Sequence, residues 1–369
     1  MTYSFLWIPL LKILGILFVV ILPMVSYSVY AERRVSGFIQ DRPGPNRVGP
    51  AGLFQPIADV AKLLMKEDFS PHHVNTFYYW LAPTLAVMPA IITMAVVPFG
   101  STLFGVPMVI ADINIGILYV FAISSLGVYG IVLAGWASNS KYPFLGGVRS
   151  SSQMISYELS LALAVIPIFL LVGTLRLTDV VRYQIDHGWL IAPFVGDWLN
   201  PTKWLLTIPM WISFVVFTIA IFAETNRLPF DLPEAEQELA GGYHTEYSSM
   251  KFALFFLGEY AAMITGSAVI VTLFLGGWHF PLPSFSGGFH WAVVDGSRPG
   301  WQGVVGGLFN IVTFFSKVAL VLFFFIWVRW TLPRFRYDQL MRLGWIFFFE
   351  IALANIFIVA GLLAFIPNK

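Results

Sequence analysis

The chain alternates between long apolar runs and short connecting stretches that hold nearly all of its charge. Runs of about 20 apolar residues suit helices crossing a hydrocarbon core about 30 Å thick, where the backbone must satisfy its own hydrogen bonds. Such runs occupy residues 5–30, 78–99, 113–136, 154–172, 204–223, 252–278, 309–328 and 345–366, which predicts an all-α polytopic membrane protein with about eight transmembrane helices. The first run lacks a basic leader and is too long for a signal peptide, so it reads as a retained span.

The connecting stretches set the orientation. Inside loops are expected at about 31–77, 137–152, 224–251 and 329–344, and they carry fourteen Lys and Arg residues against four in the other loops. An excess of basic residues marks the cytoplasmic side. That places both termini on the outer side. The whole chain, 1–369, reads as a single integral membrane domain.

Two inside loops have unusual content. Residues 43–52 are rich in Pro and Gly and predict turns; "LFQPIADVAKLLMK" then predicts an amphipathic helix. Leu53, Ile57, Val60, Ala61 and Leu64 share its apolar face, with Asp59, Lys62 and Lys66 off it, as expected of a helix lying at the membrane surface. By pattern alone such a helix need only rest on lipid. The other loop, "AETNRLPFDLPEAEQELAGGYHTEY", gathers Glu224, Asp231, Glu234, Glu236, Glu238 and Glu246, with Glu259 in the next span. Glu234 and Glu238 would share a face of any helix after Pro233, where like charges repel. If the segment folds back into the protein, burial and mutual repulsion raise its carboxyl pKa values. On composition alone, a hydrated acidic loop is the plainer reading.

Glu158, Glu259, Lys317 and Glu350 lie within apolar runs, where ionisable groups are expensive and mark pathways or buried pairs. Snorkelling to the headgroups is the alternative, and it suits Lys12 and Glu350 better than Glu158 and Glu259.

Composition narrows the chemistry. The chain is 58% hydrophobic and 11% charged, against about 25% charged in soluble domains. With no cysteine, it cannot supply thiolates for an iron–sulfur cluster, a Cys-ligated zinc or a thiol nucleophile. The six histidines show no ligand spacing, no phosphate-binding glycine loop is present, and a net charge of +1 without a basic stripe gives no reason to expect a nucleic-acid partner. No internal repeat supports a transporter of the inverted-repeat type.

Four stretches, "ERRVSGFIQDRPGPNRVGPAGLFQPIADVAKLL", "GWASNSKYPFLGGVRSSSQMISYELS", "ETNRLPFDLPEAEQELAGGYHTEYS" and "TLPRFRYDQLMRLGW", closely resemble the membrane subunit 1, or H subunit, of complex I, the proton-translocating NADH:quinone oxidoreductase. The resemblance covers most of the chain and weakens in the outer loops at 179–201 and 280–301. It implies an eight-helix translocase subunit in an energy-transducing membrane, the bacterial inner membrane rather than the mitochondrial one. Quinone is then the substrate, FMN and iron–sulfur clusters belong to partner subunits, and the partners are the peripheral quinone module, the membrane arm and lipid. It further implies that the acidic loop folds inward along a path from the quinone cavity toward the proton channels. The positions carried over for proton coupling are Glu158, Glu224, Asp231, Glu234, Glu236, Glu238 and Glu259. Those expected around the quinone are Glu32, Arg33, Arg42, Asp59 and Lys62, with Phe54 and Phe256 as apolar walls. One departure concerns Ile346 and Glu350, which stand where bacterial relatives usually have lysine and proline, so Glu350 inherits no role. Two other readings remain: the anchor subunit of a membrane-bound hydrogenase or formate-hydrogenlyase, and a free-standing channel using Glu158 and Glu259.

Overall fold

The structure, a computed structural model, describes residues 4–195, 201–233, 239–284, 290–292, 296 and 300–365. Eight of its helices are long and apolar enough to cross a membrane: α1 (Pro9–Ile39), α3 (Thr76–Val96), α4 (Gly116–Ala137), α5 (Lys141–Val172), α7 (Pro201–Glu224), α8 (Ser249–Phe274), α9 (Trp301–Thr331) and α10 (Tyr337–Phe365). Between them lie two shorter helices, α2 (Gln55–Met65) and α6 (Leu177–His187). Two small antiparallel hairpins, β1 (Thr102–Leu103) with β2 (Val106–Pro107) and β3 (Leu282–Ser284) with β4 (His290–Ala292), complete the connections.

Helix α8 is the hub. Of its most apolar stretch 72% is buried, against 17% for α1 and 22% for α10, so those two lie at the periphery. It packs against α3, α9, α1, α7 and α6, while α3 packs on α4, α4 on α5, and α5 on α7 and α10. Glycine makes the tightest approaches possible. A Cβ at Gly258 of α8 would stand 3.1 Å from the Ala86 carbonyl oxygen of α3, and one at Gly130 of α4 would stand 2.6 Å from the Ala86 nitrogen. Small residues that bring backbones together supply the dispersion contacts that drive association in lipid.

Several helices run beyond the apolar stretches that reveal them. Helix α1 continues through Glu32, Arg33 and Arg34 to Ile39, and α5 starts at Lys141, thirteen residues before the expected span at 154. Hydropathy misses these turns because they carry polar residues, some of them, such as Glu32, Ser150 and Gln153, buried against protein and others, such as Arg33 and Lys141, exposed. Helix α6 lies in the connection between α5 and α7, where no helix was expected, although Leu177, Val180, Val181 and Gln184 fall at helical spacing and are all buried.

Polar side chains satisfy the end of α8. Gln184 of α6 donates to the Thr272 and Leu273 carbonyls at 2.9 and 3.1 Å and accepts from the Gly276 amide at 2.9 Å. Lys317 of α9 donates to the carbonyls of Leu275, Gly277 and His279 at 2.7, 2.9 and 2.6 Å. Carbonyls left over at a helix C-terminus attract a cation, which gives this intramembrane lysine a structural partner. Lys12 likewise donates to the Pro107 and Val109 carbonyls at 2.7 and 2.8 Å, so it holds the β1–β2 hairpin.

Candidate functional site

The segment after α7 turns back into the protein. Asn226 takes a left-handed conformation (φ 49°) that reverses the chain, and Gln153 of α5 clamps the turn by donating to the carbonyls of Ala223 (2.8 Å) and Phe230 (2.7 Å). Thr225, Asn226, Arg227, Phe230, Asp231 and Leu232 are consequently buried. A hydrated acidic loop does not describe this part. Glu234, Glu236 and Glu238 lie outside the described residues.

Burial of Arg227 and Asp231 demands partners, and distant helices provide them. Glu32 of α1 accepts a hydrogen bond from the Tyr260 hydroxyl of α8 at 2.6 Å and pairs with the Arg329 guanidinium of α9. Arg227 comes within 3.6 Å of the same carboxylate and lies over the Tyr260 ring at 4.1 Å. One glutamate, 8% exposed in its side chain, thus draws α1, α8, α9 and the loop after α7 together. Asp231 pairs with Arg334 at 2.9 Å. Its other oxygen, Oδ1, is buried without a hydrogen-bond partner among the described residues. Burial pushes the Asp231 carboxyl up to about 6; Arg334 opposes the rise, the Glu259 charge adds to it, and Arg227 opposes it.

Glu259 leads to a cavity. It accepts a hydrogen bond from the Tyr243 hydroxyl at 2.8 Å, and with Glu224 it lines a cavity of about 860 Å³, mouth included, between α3, α4, α7 and α8. Ala90, Val120, Phe217, Phe255 and Val269 make the walls largely apolar. Ser124 hydrogen-bonds Glu224, and the Glu158 charge acts on the same carboxylate. The acids therefore form a series: Asp231 interacts with Glu259, Glu259 and Glu224 share the cavity, and Glu224 interacts with Glu158.

The first-loop residues fall into a different arrangement. Arg33 and Asp59 pair at 2.6 Å, joining α1 to α2, and Gln55 donates to the other Asp59 oxygen at 3.0 Å. Arg42 donates to Gln40 at 2.7 Å, and Lys62 is exposed. Phe54 is 52% exposed, and its ring packs where a Cβ at Gly49 would stand. Phe256 contacts Phe252 and His244 at ring-centroid distances of 4.7 and 5.9 Å. Ser249 of α8 donates to the Leu63 and Lys66 carbonyls at 2.9 and 3.0 Å, which ties the end of α2 to the start of α8. Of the seven positions expected around a quinone, Arg33 and Asp59 are brought together directly, whereas Glu32 turns inward to the arginine cluster. Glu350 is exposed on α10.

Sequence reasoning missed the partners of the acids. Arg227, Arg329 and Arg334 entered only as loop charges, and Tyr243, Tyr260 and Gln153 not at all. The one local signal was the arginine next to "LPFD", an odd neighbour for a segment that turns out to be buried.

Known proteins resemble this one along its length. Residues 11–360 match the family described as NADH dehydrogenase. The chain is 47% identical over 355 residues to an NADH-quinone oxidoreductase H subunit of Geobacter metallireducens, covering 95% of each. It is 50% identical over 336 residues to NADH-quinone oxidoreductase subunit 8 of Rhodothermus marinus, covering 91% of each. With the NADH-quinone oxidoreductase H subunit of Rickettsia rickettsii it shares 49% over 358 residues, 97% of this chain and 94% of that one. A multi-pass membrane protein with this fold and these relatives belongs to the H-subunit (subunit 1) family of NADH-quinone oxidoreductase, the membrane subunit of complex I.

Proposed function

We propose that this chain is the quinone-chamber and coupling subunit of a respiratory NADH:quinone oxidoreductase, joining the peripheral redox arm to the membrane arm. The observation that carries the proposal is the series Asp231, Glu259, Glu224 and Glu158, which runs from the buried loop through the cavity into α5. The family resemblance assigns Glu234, Glu236 and Glu238 of the same loop to this role as well. Reducing a quinone takes two electrons and two protons, so the charge near the loop changes as the reaction proceeds. Coupled carboxylates answer such a change by taking up or passing on protons. An interaction that moves one pKa by one unit is worth about 1.4 kcal/mol, so several together supply the few kcal/mol that bias a two-state element.

In this reading both termini face the outer side, the whole chain is one integral domain, and the membrane is the bacterial inner membrane. Helix α2 lies along the inner surface with Leu53, Ile57, Val60 and Leu64 toward lipid, all of them exposed in the isolated chain. It forms one wall of the passage by which quinone leaves the bilayer. Arg33, Arg42, Asp59 and Lys62 orient the polar headgroup, while Phe54 and Phe256 line the apolar part. The chain's own contribution is binding, orientation and proton movement. Electrons reach the quinone from FMN and iron–sulfur clusters in the partner subunits.

The assembled complex, purified through a tag on this chain, tests the proposal. It is expected to contain a flavoprotein with an NADH site and to reduce quinone with NADH. A preparation containing a nickel–iron hydrogenase and lacking quinone reductase activity refutes it.

A further inference from the structure

Helix α10 has two unlike faces. Gly344, Phe348, Ala352, Asn355 and Val359 are buried, and Asn355 donates to the Pro209 carbonyl and to Ser213 of α7 at 3.0 and 2.9 Å. The opposite face presents Ile346, Glu350, Ala354 and Phe357, all exposed. Glu350 is the exception on an apolar surface. Among the described residues it has neither a hydrogen-bond nor an ion-pair partner.

Its depth makes that costly. The basic end of the helix, with Arg334, Arg336 and Arg342, marks the headgroup level, and Glu350 lies eight residues beyond Arg342. At an α-helical 1.5 Å per residue this would be about 12 Å; the π-helical turn at Leu343–Phe348 shortens it, and Glu350 still falls within the apolar stretch of the helix. A lysine snorkels over such distances on four methylenes. Glutamate has two and reaches less far, so the snorkelling expected of Glu350 from the sequence is the poorer account here. An exposed carboxyl at this depth is relieved by a donor from outside the chain.

We propose that the outward face of α10 around Glu350 docks a transmembrane helix of another subunit, one bearing a basic or amide side chain level with the carboxylate. Lipid tails offer no donor there. A second copy of this chain would bring an identical carboxylate and repel. Ala354, one turn from Glu350, and Gly361, whose missing Cβ would touch nothing within 4 Å, leave room for a close backbone approach. Ile346 and Phe357, 49% and 69% exposed, flank the contact above and below. The inference stands apart from any role in quinone chemistry, because it rests on the position of one carboxylate.

The test keeps Glu350 in place. A photo-crosslinking benzophenone amino acid replaces Ala354 in the assembled complex in native membranes, and the product is mapped by mass spectrometry. The expected product joins this chain to a helix of one other membrane subunit with Lys, Arg, His, Asn or Gln within a turn of the cross-linked residue. Adding Glu350→Lys is expected to cut its yield at least tenfold, and an acidic residue at the partner position to restore it. Glu350→Leu, which suits a lipid-facing site and leaves folding undisturbed, is expected to cut it several-fold. Cross-linking to lipid alone, to a second copy of the chain, or to a helix lacking such a side chain overturns the inference. So does an undiminished yield with Glu350→Lys or Glu350→Leu.

Discussion

The Tyr243 hydroxyl donates to Glu259 across 2.8 Å, and so fixes a cavity carboxylate from a loop that lies sixteen residues away in sequence. A hydrogen bond to a charged acceptor contributes about 1.5–3 kcal/mol. Tyr243→Phe removes the donor and keeps the ring, which packs edge-on against Phe255 at 5.4 Å. The complex is expected to assemble normally and to lose quinone reductase activity about tenfold, while NADH oxidation by a hydrophilic acceptor stays unchanged. Steady-state assays with both acceptors check this; equal loss with both shows general damage instead.

The arginine cluster at Glu32 is expected to matter more for assembly than the ion pair beside it. Glu32→Ala leaves Arg227 and Arg329 without their shared counterion, and breaking a buried pair costs about 3–5 kcal/mol. Arg33→Ala breaks a pair whose side chains are 48% and 30% exposed, a class worth about 0–1 kcal/mol. Complex yield and thermal stability of the two variants should differ accordingly. Equal behaviour would mean that Glu32 does not hold the helices together.

Glu32 and Arg329 are separated by 297 positions, and no local pattern announces such a pair. What hydropathy makes legible is the set of eight spans, because lipid imposes one requirement on every residue facing it. It does not make legible the helix turns at Glu32 or Lys141, where polar residues continue a helix beyond its apolar run. Helix α6 was readable from the spacing of Leu177, Val180, Val181 and Gln184, but a connection of mixed composition hides a single short helix. Asp231, Glu224, Glu158 and Glu259 stand out in sequence as acids in the wrong place. That they form a series depends on Asn226 and Gln153 turning the loop inward, which is tertiary information.

His279 gives the segment that follows α8 a pH dependence. It is 3% exposed, neither ring nitrogen has a hydrogen-bond partner among the described residues, and burial followed by the nearby Lys317 charge pushes its pKa down from 6.5 to about 4. An opened segment regains an ordinary histidine, so between pH 6.5 and about 4 the open form binds more protons. The stability of the segment is complete above pH 6.5 and falls as pH drops through this window, by about 3 kcal/mol at the acid end. Hydrogen exchange of residues 276–281 in the assembled complex should show this loss in the wild type. In His279→Phe the loss should be absent at each matched pH.

The passage wall proposed for α2 is open to a steric test. A bulky side chain at Ala58, as in Ala58→Trp, or a reshaped one at Phe54, narrows a passage that a long isoprenoid tail must fill. Reduction of long-tailed quinones is expected to slow several-fold more than reduction of short-tailed ones. Equal slowing of both counts against a tail passage along this helix.

The central claim is that Glu259 and Glu224 carry protons between the quinone reaction and the membrane arm. Glu259→Gln and Glu224→Gln keep size and hydrogen bonding while removing titration, and the measurement is NADH:quinone turnover together with proton translocation by the assembled enzyme in sealed vesicles. The account predicts intact subunit composition, unchanged NADH oxidation by a hydrophilic acceptor, and a loss of quinone turnover of at least tenfold, because blocking the proton step stalls the electrons. Wild-type turnover with wild-type proton stoichiometry in either variant would contradict it.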